Sequence, residues 1–99
     1  MITTKQRAYL RGLANTIPAL YQMGKSGLTE EFSAQLNMAL EANELIKINV
    51  LKNTFCTPMD AMDEICEALN CEPVSVIGNK IVIYRQASDK EKRKIVLQG

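Results

Sequence analysis

The sequence predicts one two-layer α/β domain in which three helices pack on a four-stranded mixed sheet. Three observations predict this fold class. Segments with helical hydrophobic periodicity alternate with short β-rich runs, in the order α-β-α-β-α-β-β. Strands that are separated by helices can pair in parallel through right-handed crossovers. The dipeptide Gly78-Asn79 between two β-rich runs predicts a final antiparallel hairpin.

The first helix is expected over residues 4–15. Thr3 followed by Gln6 has the spacing of a capping box. Pro18 ends this helix, because the residue before a proline avoids helical angles. The first strand then follows over residues 19–23.

Threonines mark the starts of the other two helices. Thr29 is the predicted N-cap of the second, and Thr57 with Pro58 has the pattern of an N-cap and a first helical residue. The predicted bounds of the remaining elements are residues 30–43 for the second helix, residue 58 onward for the third, and 45–52, 74–77 and 80–85 for the last three strands.

Length and composition fit a single compact unit, since 46% of the 99 residues are hydrophobic. We assign the domain to residues 1–86 and expect residues 87–99 to be a polar tail that is poorly ordered or forms a short helix. No apolar run is long enough for a membrane span, and the polar N-terminus does not have a signal-peptide pattern. Three cysteines, an odd number, argue against a disulfide framework and predict a cytoplasmic protein. We expect a monomer, because one small domain shows no evident apolar surface stripe.

The candidate functional site lies where the first strand meets the second helix. Gly24 and Gly27 bracket Lys25 and Ser26. Glycines allow backbone N–H groups to approach a ligand, and a helix N-terminus carries the positive end of the helix dipole. Together with the Lys25 ammonium, this pattern predicts an anion site. Gly-x-x-Gly is also the loop with which KH domains clamp a nucleic-acid backbone.

A simpler interpretation of the same residues is a strand-to-helix turn capped by Thr29. The spacing matches neither a P-loop nor a Rossmann fingerprint, so it does not support a nucleotide-hydrolysing site. Glu30 and Glu31 follow the loop directly and oppose anion binding unless they point away from the ligand.

The charges are unevenly distributed although the net charge is only +1. Residues 1–28 contain bases and no acid, whereas residues 29–44 and 58–72 contain acids and no base. This asymmetry predicts a nucleic-acid face and an opposite acidic face. The bases assigned to the predicted face outside the loop are Lys5, Arg7 and Arg11.

The residue composition gives little support for a catalytic site or a metal site. The chain has no histidine, which excludes Ser-His-Asp and Cys-His arrangements. Four residues separate Cys66 from Cys71, Cys56 is distant in the sequence, and zinc sites usually draw four ligands from cysteine and histidine, so buried thiols are expected. We therefore expect no enzyme, no metal and no cofactor.

Several separated blocks resemble the CRM-domain family (chloroplast RNA splicing and ribosome maturation), specifically its single-domain bacterial members of the YhbY type. The resemblance covers roughly residues 3–85. The blocks are Thr4-Lys5-Gln6-Arg7, Leu10-Arg11, Gly24-Lys25-Ser26-Gly27-Leu28-Thr29, Glu44-Leu45-Ile46-Lys47, Gly78-Asn79-Lys80 and Tyr84-Arg85.

The resemblance implies an RNA-binding domain similar in topology to the C-terminal domain of translation initiation factor three. Plant members of the family act in intron splicing, and the bacterial ones are associated with precursors of the large ribosomal subunit. In this family the glycine loop is the expected RNA contact, here Gly24, Lys25, Ser26 and Gly27. The family commonly has histidine where this chain has Asn43.

We therefore expect the chain to bind ribosomal RNA through phosphate contacts from the loop and the basic first helix, in assembly of the large subunit. The alternative is a protein-interaction adaptor that uses the acidic helix faces to bind a basic ribosomal protein. Tyr84 is our candidate for stacking on a base, although a half-buried strand residue is the simpler interpretation.

Overall fold

The computed structural model describes residues 2–51, 57–93 and 95. It contains the predicted helices and strands in the predicted order. Their bounds are α1 Thr4–Ala14, β1 Tyr21–Met23, α2 Glu30–Asn43, β2 Leu45–Val50, α3 Pro58–Leu69, β3 Glu72–Ile77, β4 Lys80–Tyr84 and a 3-10 helix at Lys90–Lys92. The predicted end of the second strand at Lys52, and tail residues 94 and 96–99, lie outside the described residues.

The helix starts have the predicted caps. The Thr3 hydroxyl accepts from the Gln6 amide at 3.1 Å, and the Gln6 side chain accepts from the Thr3 amide at 2.9 Å, which completes the capping box. The Thr29 hydroxyl caps α2 by accepting from the Phe32 amide, and the Thr57 hydroxyl caps α3 by accepting from the Asp60 amide. Pro58 lies in the first turn of α3.

The sheet is mixed, with strand order β1-β2-β4-β3. β1 pairs in parallel with β2, and the other two pairings are antiparallel. The β3–β4 hairpin turns at Gly78, whose φ of 59° needs a residue without a Cβ. The predicted four-stranded mixed sheet is confirmed, with β4 placed between β2 and β3.

Helices cover both faces of the sheet, which differs from the two-layer arrangement expected from the sequence. α2 and α3 pack on one face, and α1 packs on the other. The reason is that consecutive residues of β2 and β4 are apolar, and consecutive side chains of a strand point to opposite faces of the sheet. Leu45 and Val82 therefore enter the core under α1, whereas Ile46 and Ile83 enter the core under α2 and α3. The α1-side core contains Ile2, Leu10, Ala14, Leu45, Val74, Val82 and Tyr84.

Two glutamates at the end of α2 hold the chain that follows β4. Glu44 is fully buried, and its carboxylate accepts from the amides of Ala87 and Ile95, each at 2.9 Å. Glu41 accepts from the Ser88 amide at 2.9 Å and from the Ser88 hydroxyl at 2.8 Å. Much of the described part of the predicted tail therefore packs against the domain and includes a short 3-10 helix.

No helix in the described ranges combines the length and the apolar character that crossing a bilayer requires.

Candidate nucleic-acid interface

The glycine loop is a tight turn at the end of β1. The Gly27 amide donates to the Gly24 carbonyl at 3.0 Å, which places Lys25 and Ser26 at the two corners. Gly27 has φ 69°, a left-handed conformation that favours glycine, whereas Gly24 does not. A Cβ at Gly24 would lie 3.8 Å from Leu51, an ordinary contact. The two glycines therefore differ, since only Gly27 is needed for the backbone conformation.

The corner residues present free donors to solvent. The side chains of Lys25 and Ser26 are exposed. Within the described part of the chain, neither backbone amide donates a hydrogen bond, and no carboxylate lies within ion-pair distance of the Lys25 ammonium. Two successive unpaired N–H groups beside an ammonium can hold a phosphate group.

The start of α2 lies directly after this turn. The Thr29 amide donates to the Gly27 carbonyl at 3.2 Å, and the Thr29 hydroxyl accepts from Phe32 at 3.0 Å. Glu30 is exposed and lines a groove between α2 and α3. Glu31 is also exposed. These carboxylates reduce the positive potential of the helix end, so the corner amides and Lys25 are the main anion-binding groups.

The predicted bases of α1 form a second group on the opposite face of the sheet from α2. Lys5 and Arg11 are exposed and make no ion pair with any carboxylate in the described ranges. Arg7 is half-buried, and its Nε donates to the Pro73 carbonyl at 3.1 Å. Part of the Arg7 guanidinium therefore serves to anchor α1 on β3, and Lys5 and Arg11 are the more available cations.

Arg85 has a structural role, although it belongs to one of the blocks that carry the family resemblance. Its guanidinium donates to the Leu69 carbonyl at 2.9 Å and to the Asn37 carbonyl at 3.2 Å, and it pairs with Glu41 at 3.2 Å. It thus joins α2 to the C-terminal end of α3.

The stacking hypothesis for Tyr84 is wrong, because this side chain is 4% exposed within the α1-side core. Tyr9 on α1 is 52% exposed and lies four residues from Lys5, on an adjacent part of the helix surface. Sequence reasoning did not select Tyr9. The exposure of Tyr9 could have been predicted from its position on α1, because it lies outside the apolar stripe of Leu10, Leu13 and Ala14.

The two described cysteines are free thiols with their sulfur atoms 3.4 Å apart. Their mutual hydrogen bond and burial raise the pKa of Cys66. Across the described residues, no group of three or more cysteine, aspartate or glutamate side chains is arranged to hold a metal ion.

The chain is thus a small α/β domain in which a glycine turn at the end of the sheet exposes two amides without partners among the described residues. The CRS1 / YhbY (CRM) domain model matches residues 2–85. The chain belongs to this family, which confirms the resemblance found in the sequence.

Named relatives span nearly the same length. The chain is 36% identical over 97 residues to "Probable RNA-binding protein YqeI" of Bacillus subtilis, covering 98% of this chain and 99% of the relative. It is 32% identical over 88 residues to "RNA-binding protein" of Haemophilus influenzae, covering 89% of each.

A solved structure has the same fold. The solution structure of the hypothetical protein SAV1595 from Staphylococcus aureus, described as a candidate RNA-binding protein, matches with a TM-score of 0.70 and 40% identity. The match covers 97% of this chain and 100% of the other.

Proposed function

We propose that this chain is a non-enzymatic RNA-binding protein that acts in the cytoplasm, as a monomer, in assembly of the large ribosomal subunit. Membership of the CRM family and the names of the relatives support RNA binding. The ribosomal RNA of large-subunit precursors is the partner that the family resemblance implies.

The observation that carries the proposal is the pair of backbone amides at Lys25 and Ser26, which have no hydrogen-bond partner among the described residues. They sit at the exposed corners of the turn beside the Lys25 ammonium. We assign them to one RNA phosphate, and Lys5 and Arg11 on α1 to further phosphates. Arg7 contributes through the part of its guanidinium that Pro73 leaves available. Such contacts position RNA and make affinity depend on salt.

The first test measures RNA affinity at several salt concentrations by fluorescence anisotropy, with a labelled fragment of large-subunit ribosomal RNA. Lys25→Ala should weaken binding severalfold and lower the slope of log affinity against log salt by about 0.7 to 0.9, the value of one lost phosphate contact. Lys90→Ala is the matched control, because Lys90 is exposed and lies outside the loop and α1. Equal affinities for the two variants would contradict the assignment.

The ribosomal part of the proposal is tested by sedimentation of cell extract on a gradient. The Gly24→Asp, Lys25→Glu variant should leave the large-subunit fractions. It should still fold, since Gly24 has no positive φ and has room for a Cβ. Gln86→Asp, Lys90→Glu changes the charge by the same amount at exposed positions and should sediment as wild type. Circular dichroism checks folding. Co-sedimentation of both variants would refute the role of the loop.

An adaptor function is the second candidate, because α2 and α3 carry seven carboxylates and no base. Asp63, Glu64 and Glu67 are exposed on α3. If a basic ribosomal protein binds there, neutralising these three side chains should abolish its binding and leave RNA affinity unchanged. Exposed charges on an amphipathic helix are otherwise an ordinary solvated face.

A further inference from the structure

The sheet face toward α1 consists of three cross-strand rows. The strand pairings place Leu45, Tyr84 and Glu72 in a lower row, and Lys47, Val82 and Ser75 in a middle row. An upper row crosses all four strands at the end of the sheet nearest the glycine loop. Its members are Gln22, Asn49, Lys80 and Ile77.

Alternation along the strands fixes the direction of the upper row. Its neighbours Met23, Ile48 and Ile81 all belong to the core under α2 and α3. Successive strand residues point to opposite faces, so the upper row points to the α1 side.

In the described part of the chain, α1 does not cover this row. The α1-side core includes members of the lower and middle rows but none of the upper row. Gln22 and Lys80 are exposed, Asn49 is partly exposed, and Ile77 is 62% exposed. With respect to the described residues, the upper end of the sheet is therefore an open surface.

The chemistry of this surface suits unpaired RNA bases. The amides of Gln22 and Asn49 each offer donors and an acceptor, which match the edges of bases. Lys80, with Lys47 in the adjacent row, supplies positive charge, and neither of these two rows contains a carboxylate. Ile77 adds an apolar contact for a base or ribose. Charge and hydrogen-bonding groups thus favour a nucleic acid over an acidic or apolar protein segment.

The surface is also continuous with the glycine loop. Gln22 precedes Gly24 by two residues on the same edge strand, and the Leu51 amide donates to the Met23 carbonyl at 3.0 Å. At the same end of the sheet, the Val50 amide donates to Asn79 in the hairpin turn at 2.7 Å. One single strand of RNA can therefore contact the loop and the row together.

We infer that the upper row reads unpaired bases of the RNA strand whose phosphates the glycine loop holds. This inference rests on the proposed function and deepens it, because phosphate contacts alone carry no base preference. Gln22 and Asn49 supply the base selectivity, and Lys80 and Lys47 add affinity.

The test compares binding of short uridine, adenosine, cytidine and guanosine homopolymers by anisotropy at one salt concentration. Gln22→Ala, Asn49→Ala should lower affinity for the preferred homopolymer about tenfold and bring the four affinities close together. The salt slope should not change, since no charge is lost. Gln35→Ala, Asn37→Ala removes the same side-chain types from the exposed surface of α2 and should bind as wild type.

A second variant keeps the test valid if the first is unstable. Lys80→Gln changes an exposed side chain, so it should fold, and it should weaken binding to all four homopolymers and reduce the salt slope. Thermal melting checks both variants.

The outcomes separate the two proposals. If both row variants keep the wild-type affinities and base preference while Lys25→Ala binds more weakly, the upper row does not read bases and the loop remains the phosphate site. The opposite pattern would overturn the loop as the phosphate site and support the row.

Discussion

Glu44 provides the sharpest test of how the domain is held together. We predict that Glu44→Gln destabilises the fold by about 2–4 kcal/mol. A glutamine keeps one acceptor oxygen for Ala87 or Ile95 and turns an NH2 group toward the other amide. The substitution therefore loses one charge-assisted hydrogen bond, about 1.5–3 kcal/mol, and leaves a buried N–H without a partner.

The backbone at Glu44 is strained. Glu44 has φ 66°, which costs about 1–2 kcal/mol for a residue with a side chain. The hydrogen bonds of the carboxylate offset this strain in the native protein. Because the variant keeps the same backbone, the predicted loss comes from the hydrogen bonds alone. A loss of a few kcal/mol is a large fraction of the stability of a domain of this size.

Urea denaturation followed by circular dichroism measures the effect, with thermal melting as a second readout. Each kcal/mol should lower Tm by about 4–8 °C. Glu67→Gln is the matched control, because Glu67 is exposed on α3, and it should change stability by less than about 0.5 kcal/mol. If Glu44→Gln unfolds at the same urea concentration as this control, the carboxylate does not hold the segment after β4.

Three further predictions concern the loop, the α1-side core and the thiols. Gly27→Ala should cost about 1 kcal/mol because of its φ of 69°, whereas Gly24→Ala should stay within about 0.5 kcal/mol; equal urea midpoints would refute the difference. Burial and the Glu44 carboxylate raise the pKa of Tyr84, so the unfolded state loses this proton first. Stability should therefore be unaffected by Tyr84 below pH ~10 and fall above it, and Tyr84→Phe should show a shallower fall in alkaline urea melts. Because the Cys71 hydrogen bond and burial raise the pKa of Cys66, iodoacetamide should alkylate Cys66 at pH 7.5 more slowly than it alkylates glutathione. Cys71→Ser should change that rate, measured by peptide mass spectrometry, and a wild-type rate equal to that of glutathione would contradict the geometry.

Local sequence patterns were sufficient to predict the helices and strands. The caps at Thr3, Thr29 and Thr57 and the turn at Gly78 depend on neighbours within a few residues, so they were predicted directly. The mixed sheet followed from the order of the elements. The placement of α1 on the second face was missed, because it depends on which core each residue of β2 and β4 enters.

The candidate site was predictable only in part. Adjacent residues form the loop, so Gly24–Gly27 could be identified as one unit. By contrast, the burial of Tyr84, the exposure of Tyr9 and the alignment of Gln22 with Asn49 and Lys80 arise from pairing between distant strands and from the position of α1. The carboxylate of Glu44 accepts hydrogen bonds from Ala87 and Ile95, which lie 43 and 51 positions further along the chain, and no local sequence pattern indicates these contacts.

The position of α1 opposite α2 and α3 also has a kinetic consequence. α1 carries three cations and no acid, and the two helices across the sheet carry seven carboxylates and no cation. The protein is therefore an electric dipole oriented roughly along the sheet normal despite its near-zero net charge. A polyanion will turn the molecule before contact so that α1 leads and the acidic helices trail, within a screening distance of about 8 Å at physiological salt. Productive encounters should thus form faster at low salt than a net charge of +1 would suggest.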